Sequence, residues 1–479
     1  MSIQKAIIAG GGLGGLAAGL RLRAAGWDVT LCEAGPSFGG KMNTWSKDGF
    51  TFDTGPSLIT MPWVFRETFA AAGSRLEDHI ELLQLDPICD YRFADGVQFD
   101  YSARLPEWTA TLRRIAPGDL EGFFAFMNLG ARLFEVSEAT FFRRSPFEAP
   151  APDERRVLRH VPGLRGWGNY RSTVEHYFES SHLRQLYSRY PTYVGSSPYK
   201  SPATLAVIPF IEYSFGGYAV RGGLYRIVEA LVGLSAAKGI ELRTNAEIVR
   251  IETRNGRAAG VELASGERIA ADIVVVNGDA EFTRRLTGGR PGAQRSRSMS
   301  GFVQLFGLRK PLPGIRENTV CFSADYRTEF AQIFDEKRFP DDPTVYVNAP
   351  APDHLFVMAN APGDAEHPEQ VWTPAMTATA RQRVLTRLRL AGFPDFEDDT
   401  AVYDVWTPAR LESTYHTPGG SIYGSDSHGW RNAFLRPSNV SRELRGLYFV
   451  GGTTHPGGGT PTVLMSAAIT TRLIREREQ

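Results

Sequence analysis

Gly10, Gly12 and Gly15 stand in the spacing G-x-G-x-x-G, and Glu33 follows at the separation at which an acid meets a nucleotide ribose in a βαβ unit. The chemistry served is capture of a dinucleotide. Gly10 allows a tight turn out of a strand, Gly12 lets the backbone approach a pyrophosphate, and Gly15 lets a helix lie close on the sheet. Leu13 and Gly14 open that helix, whose free N–H groups would receive the phosphates. Glu33 can accept from both ribose hydroxyls and would repel a 2′-phosphate, which argues against NADP. Near the other end of the chain, LYFVGGTTHPGGGTPTVLM contains a second glycine-dense loop with Gly451 and Gly452. Pro461 sits there at a helix start, and Thr462 and Val463 are expected to offer free N–H groups to a partial negative charge such as a reduced flavin develops. Two polar residues are candidates for the reacting atoms: His455 as a proton acceptor, and Arg221, ahead of Gly222-Gly223, as a positioning group. The plainer readings are a structural hydrogen bond for the histidine and a phosphate or carbonyl anchor for the arginine.

These residues need particular elements to hold them. Ala6 to Ala9 is a short apolar strand, an Ala/Leu/Arg-rich helix follows the glycines, and Val29 to Cys32 is a second strand, completing the βαβ unit. Gly39, Gly40 and Lys41 make a second glycine turn, and Gly55-Pro56 breaks the alternating segment DGFTFDTGPS. Backbone kept thin at two places beside a nucleotide motif suits a flat ring such as an isoalloxazine. Amphipathic helices are expected over Val64 to Ala72 and Leu120 to Val136. Phe141-Phe142 beside Arg143-Arg144 reads as a membrane-interface patch, and the proline-punctuated aromatic stretch Tyr187 to Phe215 as the wall of an apolar cavity. Asn255-Gly256 and Ser265-Gly266 predict a three-stranded meander, and Ile273 to Val276 and Leu447 to Val450 are further buried strands.

A chain of 479 residues exceeds what one core usually holds, so two or three packed subdomains are expected. Lys plus Arg equals Asp plus Glu, which gives no field steering the protein to nucleic acid. Cys32, Cys89 and Cys321 lack metal-ligand spacing and cannot all pair, so no metal and a reduced compartment are expected. The N-terminus lacks signal-peptide features and no long uncharged apolar run is present, so a membrane-spanning helix is not expected.

GGGLGGLAAGLRLRAAGWDVTLCE, GGKMNTWSKDGFTFDTGPS, VRGGLYRIVEAL and LYFVGGTTHPGGGTPTVLMSA together resemble the bacterial and fungal type of phytoene desaturase, within the amine-oxidase-like flavoprotein superfamily. The middle of the chain is more similar to the 1-hydroxycarotenoid 3,4-desaturase subgroup. The closing motif departs from the G-A-G-T-H-P-G-A-G-x-P of phytoene enzymes at Gly452, Thr453 and Gly458. The resemblance implies an α/β fold with a Rossmann-like FAD-binding domain of the amine-oxidase/glutathione-reductase type, an α+β substrate domain and a helical membrane-associating region. The corresponding expectations are 1–61, 216–285 and 440–479 for FAD, 62–200 for the mainly helical region, and 201–215 with 286–439 for substrate. It further implies FAD with Lys41 on its flavin side, Gly55-Pro56 flanking the ring, Ile248 meeting the adenine through its main chain, and Gly451, Gly452 and Pro461 to Val463 along the pyrimidine edge. The implied substrate is a carotenoid or isoprenoid taken from a membrane surface by a cytoplasmic, peripherally attached enzyme. Quinone or oxygen would be its electron acceptor. Desaturation would proceed by hydride transfer to the flavin, which needs few catalytic side chains. An amine oxidase and a non-catalytic isoprenoid carrier remain open as alternatives.

Overall fold

The first strand, Lys5–Ala9, is buried along nearly its whole length, which is what an apolar run between two parallel neighbours requires. The structure, a computed structural model, describes residues 3–288 and 296–478 apart from 147, 150, 153, 158–160 and 162–167. Five parallel strands lie in the order Leu447–Phe449, Ile273–Val276, Lys5–Ala9, Asp28–Cys32, Glu241–Arg243, so three distant stretches of chain build one sheet. The helix Leu13–Ala24 is buried over most of its length and packs on the C-terminal helix Thr460–Glu478. Its glycines and alanines make that close approach sterically available. The predicted meander forms as Ile248–Arg254, Arg257–Leu263 and Arg268–Ala270, with Asn255 and Gly256 both at positive φ in the first turn.

A seven-stranded sheet runs Thr400–Trp406, Ser300–Leu308, His354–Ala361, Val345–Ala351, Asn318–Cys321, Cys89–Arg92, Gln98–Tyr101. Its last two strands come from the region read as mainly helical. Cys89–Arg92 is drafted in by parallel pairing with Asn318–Cys321, a long-range contact that no local periodicity signals. That region also holds the strand Leu82–Gln84 and the helices Pro62–Ala71, Leu105–Ile115, Leu120–Ser137, Tyr170–Tyr177 and Ser181–Ser188. Leu120–Ser137 buries Phe123, Phe126, Met127 and Leu133, each worth about 1.5–3 kcal/mol when fully withdrawn from water. It lies so close to Val207–Phe215 that a Cβ on Gly130 would fall 2.4 Å from Phe210 Cβ.

The patch Phe141-Phe142-Arg143-Arg144 is not a membrane face. Phe142 is buried, Phe141 stacks edge-on against His455 with ring centroids 4.6 Å apart, and the arginines pair with Glu67, Glu138 and Glu154. The aromatic pair satisfies its apolar surface inside the protein. Among the described residues no helix is long and apolar enough to cross a membrane.

Candidate FAD site

Turns from four parts of the chain converge at the carboxyl ends of the parallel strands, the crevice where open α/β sheets bind ligands. Gly10 leaves its strand at φ +103°, donates its N–H to the Cys32 carbonyl at 2.8 Å, and has room for no Cβ, which would lie 2.8 Å from the Asn277 carbonyl oxygen. Gly15 passes equally close to Gly10, 2.1 Å from its carbonyl oxygen to an added Cβ. The second glycine turn rests on the first: Gly39 N–H donates to Gly11 O at 2.9 Å, and a Cβ on Gly40 would be 3.2 Å from Gly12 Cα. Gly55 runs beside Lys41, whose carbonyl oxygen would be 2.0 Å from a Cβ there, and Pro56 continues that strip. Backbone alone forms this surface.

Glu33 stands at the tip of the second strand. Its Oε2 accepts from Gly11 N–H at 2.7 Å and its Oε1 from Gly35 N–H at 2.8 Å, so the carboxylate is oriented while keeping lone pairs to spare. Its main-chain carbonyl accepts from Ala246 N–H at 2.8 Å, which draws the segment leading into Ile248 alongside the acid. Ile248 itself is buried and pairs with Leu263 in the meander.

Asn277, which sequence reasoning missed, ties the site together. It follows the strand Ile273–Val276 directly, and its Nδ2 donates to Gly10 O at 3.2 Å. Added Cβ atoms on Gly14 and Gly451 would lie 2.8 and 2.7 Å from its Oδ1. The signal available was a lone asparagine at the tip of an all-valine and isoleucine strand.

The C-terminal loop meets this asparagine at Gly451, which has φ +114°. Gly452 sits by Gly458 and Val463, 3.5 and 3.7 Å from an added Cβ. The following helix starts at Thr460, one residue ahead of Pro461. Val463 N–H therefore donates to Gly459 O at 2.9 Å and is not the free donor expected; the helix has already begun its first internal bond there. Thr462 turns its hydroxyl back to the Gly458 and Gly459 carbonyls, both at 2.9 Å.

The two candidate catalytic residues are placed differently from the expectation. Arg221 is exposed on the surface and forms a two-pronged ion pair with Glu81, at 2.6 and 3.0 Å. A solvated pair of this kind orders a loop and faces no ring. His455 is fully buried, and its Nε2–H is directed at two main-chain carbonyls, Phe141 O at 2.8 Å and Arg144 O at 2.7 Å. Burial pushes its pKa down to about 4, so the ring is neutral at physiological pH.

Lys41, on the turn between the two glycine strips, donates from Nζ to the Ile422 carbonyl. Burial pushes this ammonium down to about 8, with Asp279 partly opposing the shift. A cation whose pKa falls on folding carries its whole penalty below about pH 8, and the penalty is relieved as pH rises toward the ordinary value of 10.5. The apoprotein is expected to gain stability relative to Lys41→Met across that alkaline interval. Parallel Tm–pH curves for the two proteins would exclude a buried, charged Lys41.

The residues present fit an extended dinucleotide. A helix N-terminus whose N-cap, Gly12, supplies no side-chain cap could receive a pyrophosphate, the oriented acid Glu33 could accept from ribose hydroxyls, and the second glycine loop would be left for the flavin half.

Known proteins resemble this chain along nearly its whole length. The chain is 31% identical to a 4,4'-diapolycopene oxygenase of Methylomonas sp over 99% of its length and 98% of the relative's. It is 34% identical to a zeta-carotene-forming phytoene desaturase of Myxococcus xanthus over 99% and 93%. The solved structure of putrescine oxidase bound to putrescine superposes with a TM-score of 0.65 at 15% identity, covering 99% of this chain and 100% of that one, which shows a shared fold. The model of the flavin containing amine oxidoreductases matches residues 13–474, and the chain belongs to that family, with FAD as its cofactor.

Proposed function

We propose that this protein is an FAD-dependent carotenoid desaturase, introducing C=C bonds into a long polyene. The observation that carries the reading is the set of tyrosine side chains packed against the cofactor cradle. Lys41, Arg189, Tyr193, Tyr346 and Tyr423 are each only partly exposed, so apolar ring surface is left available beside the cradle for a long hydrocarbon. Tyr423 adjoins Gly458 of the C-terminal loop, and Ser57, next to Pro56, hydrogen-bonds the Tyr346 hydroxyl at 2.5 Å. The 34% identity to a phytoene desaturase supports a polyene as the occupant.

When bound, FAD would supply a two-electron acceptor for the hydride of a C–H bond beside a polyene, whose conjugation spreads the developing positive charge, the proton of the neighbouring carbon being released to solvent. The chain's own part is positioning and the exclusion of water. Gly10 to Gly15 and Glu33 hold the nucleotide half, and Lys41, Gly55-Pro56 and the loop from Gly451 flank the other half. His455, neutral and engaged through Nε2–H, holds that loop against residues 141–144 and shuttles no proton. A substrate this insoluble has to be drawn from a membrane surface, so peripheral attachment on the cytoplasmic side belongs to the proposal, as does release of electrons to quinone or oxygen.

The test is expression in cells accumulating phytoene and, separately, in cells accumulating a 1-hydroxycarotenoid. A red-shifted pigment in either supports desaturation. Oxygenated products in place of new double bonds would move the protein to the oxygenase reading, and unchanged pigments in both would overturn the proposal.

A further inference from the structure

A site built only for hydrocarbon has no use for a half-buried cation, yet Arg189 stands among the tyrosines beside the cofactor cradle. The residue ends the helix Ser181–Ser188 and leads into the turn Tyr190–Val194. Its Nη1 donates to the Tyr91 hydroxyl at 2.8 Å and its Nη2 to the Tyr193 hydroxyl at 3.0 Å. Its guanidinium lies 5.0 Å from the Tyr193 ring centroid and 5.5 Å from that of Tyr91. The remaining N–H groups of the guanidinium have no acceptor among the described residues, and the side chain keeps part of its surface accessible.

The balancing charge stands one hydroxyl away. Tyr193 donates to Glu212 Oε2 at 2.5 Å and Tyr190 to Oε1 at 2.7 Å, with Glu212 itself 1% exposed. The opposite charges do not touch directly but are spaced by tyrosine hydroxyls, so the arginine keeps donors free while its charge is compensated. Such an arrangement is costly to bury and gains its return only when an acceptor fills the open donors.

The position matters as much as the chemistry. Gly195 closes the turn, and a Cβ there would lie 2.6 Å from the Tyr423 ring, which itself adjoins Gly458 of the cofactor loop. Tyr193, which the guanidinium contacts, thus lies two residues from the turn glycine that packs through Tyr423 on the cofactor loop. We propose that Arg189, held by Tyr193 and Glu212, is the recognition point for an oxygen function, hydroxyl or carbonyl, at one end of the polyene substrate. The inference rests on the polyene reading above and narrows it to oxygenated carotenoids. Arg189 is a specificity residue here, since it contacts the substrate's end group and takes no part in breaking C–H bonds.

The experiment uses the FAD-loaded enzyme with three probes in detergent micelles: a hydrocarbon carotene, its 1-hydroxy derivative and a keto derivative. Equilibrium binding is read from the polyene absorption band and turnover from anaerobic flavin bleaching, split into KM and kcat. The oxygenated probes are expected to show kcat/KM at least ~10-fold above the hydrocarbon, carried mainly by KM. The charge-neutral pair Arg189→Met with Glu212→Gln, and separately the milder Tyr193→Phe, are checked for FAD content and Tm. The preference is expected to fall to about one in the former and by several-fold in the latter. Preference for both oxygenated probes assigns recognition to the arginine donors, and preference for the hydroxyl alone assigns it jointly to the Glu212 network. A wild-type ratio near one, or a ratio unchanged in the neutral pair, overturns the proposal. Selective binding without flavin bleaching upholds the subsite and defeats the desaturase reading; absence of binding by all three probes defeats both.

Discussion

Replacing Gly10 by alanine is expected to yield protein that purifies with little FAD. Gly10 has φ +103°, a backbone region that L residues avoid, and its new Cβ would sit 2.8 Å from the Asn277 main-chain oxygen. Neither obstacle is the movable end of a side chain, so the loop itself has to shift. Holding a residue in such a conformation costs about 1–3 kcal/mol, which weakens binding by roughly 5- to 150-fold if the native loop is required for it. Titration of apoprotein with FAD measures the change directly. Excess FAD is expected to restore the flavin spectrum, because the substitution weakens the site without removing a donor to the cofactor. Stoichiometric flavin retained after dialysis of the variant would show that the loop does not act as the pyrophosphate cradle.

The parts of this site that could be read from sequence are those in which chemistry and chain order coincide. Gly10, Gly12, Gly15 and Glu33 lie within one βαβ unit, so local spacing already describes their geometry. The glycine turns at Gly39-Gly40 and Gly55 were legible as places of thin backbone, but that the first rests on Gly11 and the second runs beside Lys41 was not. Asn277 was not legible, because its role exists only once the strand Ile273–Val276 pairs beside Lys5–Ala9 and brings it over Gly10. Arg221 was misplaced for a related reason. The residue type suits an anion, but the direction of its side chain depends on the strand Tyr218–Val220, which pairs with Leu82–Gln84 and aims the guanidinium at Glu81 on the surface. The same limit applies to Cys89–Arg92, whose place in the seven-stranded sheet is set by a partner far along the chain. Val463 differs by a single residue of helix register, the scale at which helix ends are hardest to read from composition.

His455→Ala separates a structural histidine from a catalytic one. The ring is fully buried, and its Nε2–H is the donor that two main-chain carbonyls, Phe141 O and Arg144 O, share. Alanine strands both carbonyls and leaves a hole beside the Phe141 ring, so a loss of about 2–4 kcal/mol in unfolding free energy is expected. Glutamine can place an N–H where Nε2 stood, and His455→Gln is expected to recover more than half of that loss. The pH dependence adds a second readout. Because burial lowers the folded-state pKa from 6.5 to about 4, the unfolded chain binds a proton first, and wild-type stability falls as pH drops from about 6.5 toward 4. The alanine variant lacks this component, so its deficit narrows in the same interval. With FAD saturating, turnover of the alanine variant is expected to fall by less than about 100-fold, the lower bound of a lost general acid or base. A complete loss of turnover with FAD bound and stability rescued by glutamine would overturn the structural assignment and return His455 to the proton-transfer role.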